Sequence, residues 1–180
     1  MAEDQVAEVH MTEVQVTTET TARDLRELEE LKYRYVRFLD TKQWDALGRL
    51  FVEDASASYG GGAYRAEGRD EIMSFLVTNM GSESFHSSHT VGQPELIIDG
   101  DSATGTWALN DVVIDTELGV YISGAAFYED TYVRREGEWL IATTGYRRSF
   151  EYLVPISDME HFQLTASLWG TGGRSSLVAG

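Results

Sequence analysis

Between residues 21 and 40 the large apolar side chains recur in steps of three and four. Leu25, Leu28, Leu31, Tyr35 and Leu39 carry the pattern, with Glu27, Glu29, Glu30, Lys32 and Arg34 between them. This spacing puts a single apolar stripe on an α-helix, predicted over residues 22–40. Trp44, Leu47 and Leu50/Phe51 repeat it in a second, shorter helix. Ile72, Phe75, Leu76 and Met80 do so in a third, over residues 69–79. Between the second and third, residues 55–59 alternate and are closed by three glycines, which predicts a small strand and a turn.

After residue 84 the period changes to two. Leu96 and Ile98 lead into Asp99-Gly-Asp101, a hairpin turn signal. Beyond it Ala103, Gly105, Trp107, Leu109 and Asp111 share one face of a long strand. Residues 120–134 alternate again, Arg135-Glu-Gly-Glu138 makes another turn, and residues 139–148 form a further strand. Helices first and a four-strand antiparallel meander afterwards make an α+β layout, one curved sheet wrapping three helices. The first 20 residues hold five acids, no Lys or Arg and no helical spacing of large apolar residues, so a mobile acidic tail is expected there. The folded domain is expected over residues 21–156, followed by a C-terminal extension over 157–180 that is either docked or loose.

Composition narrows the function. A chain of 180 residues with 42% hydrophobic side chains is sized for one packed core, and 11% aromatic residues separate it from disordered chains. There are 30 acids against 14 bases, a net charge of −16. With no Lys/Arg cluster, this argues against a nucleic-acid partner and against an anionic membrane surface. The lack of cysteine removes disulfides, thiolate nucleophiles and cysteine-based metal centres. The start of the sequence lacks a basic segment followed by an apolar one, and no stretch approaches ~20 unbroken apolar residues, so a cytoplasmic protein is expected. Gly60-Gly-Gly62 lacks the helix and Lys of a phosphate loop, and no nucleophile elbow is present, so no cofactor is expected.

The candidate chemistry lies where polar groups interrupt apolar faces. Asp40 ends the first helix, where the helix dipole mildly disfavours an acid. It falls about 140° from Tyr35 on the helical wheel but nearly in line with Tyr33. His86 and His89 stand three apart without cysteine or a nearby pair of acids, a poor metal site. One buried His beside a carboxylate is instead a general acid/base, because its ordinary pKa near ~6.5 lets it take and return a proton. Asp111 continues the face of Trp107 and Leu109 and needs a partner or a substrate if that face is buried. Arg147 and Arg148 both qualify as the partner, since period two places them on opposite faces.

The succession of these motifs resembles the SnoaL-like branch of the nuclear transport factor 2-like superfamily. It is carried by residues 28–51, His89-Thr-Val-Gly-Gln-Pro94, Asp99-Gly-Asp-Ser-Ala103, Trp107-Ala-Leu-Asn-Asp111, Tyr128-Glu-Asp-Thr-Tyr132 and Thr144-Gly-Tyr-Arg-Arg148. The likeness covers roughly residues 22–152. It implies a cone, a strongly bent antiparallel sheet packed with three helices around a deep apolar pocket. Among such proteins the sequence looks most like the cofactor-free lyases, of the bile acid 7-alpha-dehydratase and scytalone dehydratase kind. The resemblance carries an Asp–His pair onto Asp40 and His89, with Tyr35 as a hydroxyl facing the substrate and Asp111 and Arg148 as substrate-orienting groups. Trp107, Tyr33 and His86 are further candidates for substrate contact.

The resulting expectation is an acid/base lyase of the dehydratase type, acting through an Asp–His dyad on a hydrophobic polycyclic molecule, steroid- or polyketide-like. An isomerase or aldol-type cyclase using the same base is the alternative within enzymes. A non-catalytic small-molecule-binding or assembly module is the alternative outside them. Tyr and Val on the outer sheet face over residues 120–134 lead to the expectation of a homo-oligomer, dimer or trimer.

Overall fold

The structure is a computed structural model that describes residues 2–177, with side chains from Thr21 onward. Its three helices are α1 (Ala2–Asp40), α2 (Trp44–Gly48) and α3 (Arg69–Met80). Its strands are β1 (Phe51–Tyr59), β2 (Tyr64–Glu67), β3 (Phe85–Asp99), β4 (Ser102–Asp115), β5 (Val120–Arg135) and β6 (Glu138–Pro155). The expectation of a mobile tail over residues 1–20 lies outside the described side chains.

The apolar stripe of α1 is the predicted one: Leu28, Leu31, Tyr35 and Leu39 are buried, and Tyr33, Arg34 and Arg37 face outward. One residue departs from the predicted pattern. Lys32, expected between the apolar positions, is buried among them. The second helix is shorter than its spacing predicts. It stops at Gly48, because Leu50 and Phe51 turn into β1, and β1 binds the last strand.

The strands form a single sheet in the order β2-β1-β6-β5-β4-β3. The β3-β4-β5-β6 meander is antiparallel, as its turns predict, but β1 lies parallel to β6, so the sheet is mixed. Tyr64 to Glu67 forms the edge strand β2, which the sequence pattern did not reveal; Glu67 caps it by pairing with Ser56. Helix α1 packs across the inner face, and the core joins its stripe to Leu47, Phe51, Ile72, Trp107, Leu109, Tyr128 and Ile141. Each such side chain contributes about 1.5–3 kcal/mol by leaving water. Among the described residues no helix is long and apolar enough to cross a membrane.

Ala103, Trp107, Leu109 and Asp111 do face inward. In β6 a simple alternation fails. Thr131 pairs with Thr143 but Tyr132 with Ile141, so Ala142 is an extra residue, a β-bulge. It switches the inner face from Trp139 and Ile141 to Thr144, Tyr146 and Arg148, because a one-residue slip turns every later side chain over. This bulge decides the question left open between the two arginines: Arg148 points in, and Arg147 points out to Glu129.

Candidate active site

The inner face of the sheet, α1 and α3 enclose a cavity of about 310 Å³. Its apolar wall comes from Leu39, Leu76, Met80 and Val113, and its aromatic wall from Tyr59, Tyr64, Phe75, Tyr128 and Tyr146. His89, Asp111 and Arg148 supply the charged and titratable groups, and Tyr35 a hydroxyl.

His89 reaches the cavity because β3 alternates: Phe85, Ser87 and His89 point inward and His86 outward. Behind it the last residue of α1 is tied to the same strand. Asp40 Oδ1 lies 2.6 Å from His89 Nδ1 and accepts the Ser87 hydroxyl at 2.8 Å, while Oδ2 accepts the His89 backbone N–H at 2.8 Å. Three donors thus offset the unfavourable position of an acid at a helix C-terminus. The side chains of His89 and Asp40 are 9% and 20% exposed. Burial pushes the Asp40 carboxyl up, but the hydrogen bonds and charge of His89, with that of Ser87, outweigh it and hold the carboxyl below its ordinary range. An ionised carboxylate only accepts, so Nδ1 carries a proton towards Asp40, and in the neutral imidazole the lone pair is on Nε2.

The charged pair on the cavity wall is built over a glycine of β5. Asp111 is the cross-strand neighbour of His89, and Arg148 lies two strands further on. Arg148 Nη1 and Nη2 donate to Asp111 Oδ1 and Oδ2 at 2.5 and 2.8 Å, and Nε stands 2.9 Å from Glu151. The guanidinium crosses β5 at Gly124, where a Cβ would stand 3.1 Å from Nη1. Burial disfavours the cation, yet the hydrogen bond and charge of Asp111 more than offset it, and Arg148 holds its proton more firmly than usual. The corner is therefore closed on itself by a bidentate pair.

Five of the sequence candidates, Tyr35, Asp40, His89, Asp111 and Arg148, are brought together here. Trp107, Tyr33 and His86 are not. Trp107 shares the face of Asp111 but lies deeper, in the core, and gives its indole N–H to the Tyr132 hydroxyl at 2.9 Å. Tyr33, about 200° around α1 from Tyr35, is half-exposed and sets its ring edge-on to Trp107 at 6.1 Å, outside the cavity. His86, on the other face of β3, sits near Lys42 and Asp115; burial first, then the Lys42 charge, lowers its pKa. Among the described residues no group of three or more His, Asp or Glu side chains is placed to hold a metal ion.

Four tyrosines, Tyr59, Tyr64, Tyr128 and Tyr146, join the cavity without having been singled out as site candidates in the sequence. Tyr59 places its hydroxyl 3.4 Å from that of Tyr35, which also interacts with the Tyr128 hydroxyl. Tyr146 lies edge-on to Tyr128 and beneath the Arg148 guanidinium. Burial raises the Tyr35, Tyr59 and Tyr128 phenols well above their ordinary value, so they stay neutral donors.

Over residues 20–145 the sequence matches the SnoaL-like domain family. The chain belongs to that family. This SnoaL-like chain shares its fold with solved structures at low identity. A scytalone dehydratase-like protein from Novosphingobium aromaticivorans is 24% identical, with a TM-score of 0.69 over 75% of this chain and 90% of that one. Hexachlorocyclohexane dehydrochlorinase type 3 from Novosphingobium barchaimii is 17% identical, with a TM-score of 0.69 over 79% and 96%. The ActVI-ORFA protein of Streptomyces coelicolor is 17% identical, with a TM-score of 0.59 over 69% and 96%. The neighbours of this SnoaL-like domain thus include enzymes, on a fold that also serves other functions.

Proposed function

We propose that the protein is a cofactor-free acid/base lyase of the dehydratase type, acting on a hydrophobic, ring-containing small molecule, polyketide- or steroid-like. The observation that carries this reading is the Asp40–His89 hydrogen bond of 2.6 Å, with the imidazole on the wall of an apolar cavity. A merely ligand-binding module would use the same cavity but has no need of a carboxylate hydrogen-bonded to an imidazole on its wall.

In the proposed reaction His89 Nε2 removes a proton from the carbon next to a substrate carbonyl. The carbon–carbon double bond forms as the bond to a β-hydroxyl breaks, the imidazolium returns its proton to the leaving oxygen, and water departs. Asp40 stabilises the imidazolium between the two transfers. Tyr35, Tyr59 and Tyr128 donate to the carbonyl oxygen as negative charge develops there. Asp111 and Arg148, already paired, orient the substrate by dipole rather than by free charge, which favours an uncharged molecule.

Positioned proton transfer contributes roughly 10²–10⁴-fold. His89→Ala and Asp40→Asn proteins should lose turnover on that scale while keeping a cooperative melt. Full activity in either on an identified substrate would refute the assignment. Product mass separates the dehydratase from an isomerase or cyclase without loss of water, since only the former yields a product lighter by one water. We further propose a homo-oligomer joined through the outer sheet face, where Phe127, Phe150 and Tyr152 are exposed; a monomer in sedimentation at working concentration would refute it.

A further inference from the structure

Lys32 and Asp130 do not line the cavity, yet they sit directly behind its tyrosines. Both side chains are 0% exposed, and Lys32 Nζ lies 2.7 Å from Asp130 Oδ2. The carboxylate is otherwise saturated: Oδ2 also accepts the Tyr132 hydroxyl at 2.8 Å, and Oδ1 accepts the Thr144 hydroxyl at 2.7 Å. The ammonium is not. Among the described residues Asp130 is its one hydrogen-bond acceptor, and beyond it Nζ meets two ring faces, 3.3 Å from the Tyr128 centroid and 4.6 Å from the Tyr35 centroid.

Stability alone does not account for this arrangement. Lys32 occupies a slot in the buried stripe of α1 between Leu28, Leu31, Tyr35 and Val36, where an apolar side chain would pack. Replacing a buried ion pair by apolar residues of similar volume is often neutral or stabilising. What the pair adds is an ammonium shielded from bulk water, whose proton burial loosens and the charge and hydrogen bond of Asp130 hold, pressed against a ring whose edge reaches the cavity. A cation on an aromatic face draws electron density from the ring. In a phenol that density comes partly from the oxygen, so the O–H becomes a stronger donor. Burial, then the neighbouring Tyr59 and Asp130, push the Tyr128 phenol well up; a cation on the ring face acts in the opposite sense.

We propose that Lys32, held by Asp130, is a positioning residue for the site: its ammonium sharpens the Tyr128 hydroxyl, and through it that of Tyr35, as the donor to a substrate carbonyl oxygen. This rests on the reading of the cavity as one that binds a carbonyl compound. It does not depend on His89 or on turnover.

The test uses a carbonyl probe in place of the substrate. An uncharged two-ring aryl ketone, 1-tetralone, is bound to the whole protein and its C=O stretch is read by infrared difference spectroscopy. In wild type the band should lie below its position in cyclohexane. In Lys32→Met/Asp130→Asn, which removes both charges together, the band should move back towards that position. The ketone should then bind about three- to tenfold more weakly, the loss expected for a weakened hydrogen bond. Tyr128→Phe, which keeps a ring over the ammonium and removes the hydroxyl, should do the same. A purely structural ion pair would leave the band unmoved in a double variant that melts cooperatively. No binding to wild type, a wild-type band at the cyclohexane position, or equal bands in wild type and the folded double variant would each overturn the proposal. If the double variant gives no cooperative melt, Tyr128→Phe decides, and an unmoved band there overturns it. Failure of the lyase reading would be seen separately, as turnover that survives His89→Ala.

Discussion

At the residue scale the site depends on where each titratable group finds its partner. Asp40 looks misplaced at the end of a helix until His89 and Ser87 supply its donors. Its folded carboxyl titrates below the ordinary value near ~3.9, so the ionised form is favoured by folding. The stabilisation is fully present above that ordinary value and is lost as pH falls through the folded one. Urea midpoints should therefore drop more steeply below about pH 4 in wild type than in Asp40→Asn, the two curves converging in acid. Parallel curves would mean that Asp40 is not held ionised by its partners. Asp40 and His89 were named from the sequence only through its family resemblance, which carries an Asp–His pair onto them; the structure places their side chains 2.6 Å apart. Tyr59, Tyr128 and Tyr146 were not singled out as site candidates, because an aromatic on an alternating run reads as core until the cavity behind it is known.

At the element scale, irregularities in the sheet do as much as its regular pairing. The bulge at Ala142 turns Arg148 inward, and Gly124 lets the guanidinium cross β5 to reach Asp111. A methyl group at 124 would lie 2.6 Å from the Phe150 carbonyl oxygen and 3.1 Å from Arg148 Nη1. Gly124→Ala should therefore displace Arg148 and lower stability by about 1–3 kcal/mol, the usual cost of overpacking. Thermal melting reads the loss of stability, and weakened 1-tetralone binding reads the displacement of Arg148; an unchanged melting temperature would show that β6 yields without strain. The period of two in β6 was legible from residues 139–148, but a bulge has no reliable local signal, since its extra residue is defined only by what the neighbouring strand pairs with.

At the scale of the whole molecule, one buried ion pair links α1 to the middle of β5. Removing only its cation should leave Asp130 buried and unpaired, so Lys32→Met alone should cost about 3–5 kcal/mol. Lys32→Met/Asp130→Asn should recover much of that loss. Chemical denaturation of both proteins checks this, and a single variant as stable as wild type would contradict it. By itself the sequence determined the features that repeat locally: the stripe of α1, the third helix, the turns of the meander, and the α+β class that follows from their order. These need only periodicity and turn chemistry, which neighbouring residues carry. Only the tertiary structure decided that β1 lies parallel to β6, that Lys32 is inside rather than on a solvated face, that Arg148 rather than Arg147 meets Asp111, and that four further tyrosines line the cavity with Tyr35. Each of these depends on residues far apart in the chain, and no window of sequence contains both partners of such a contact.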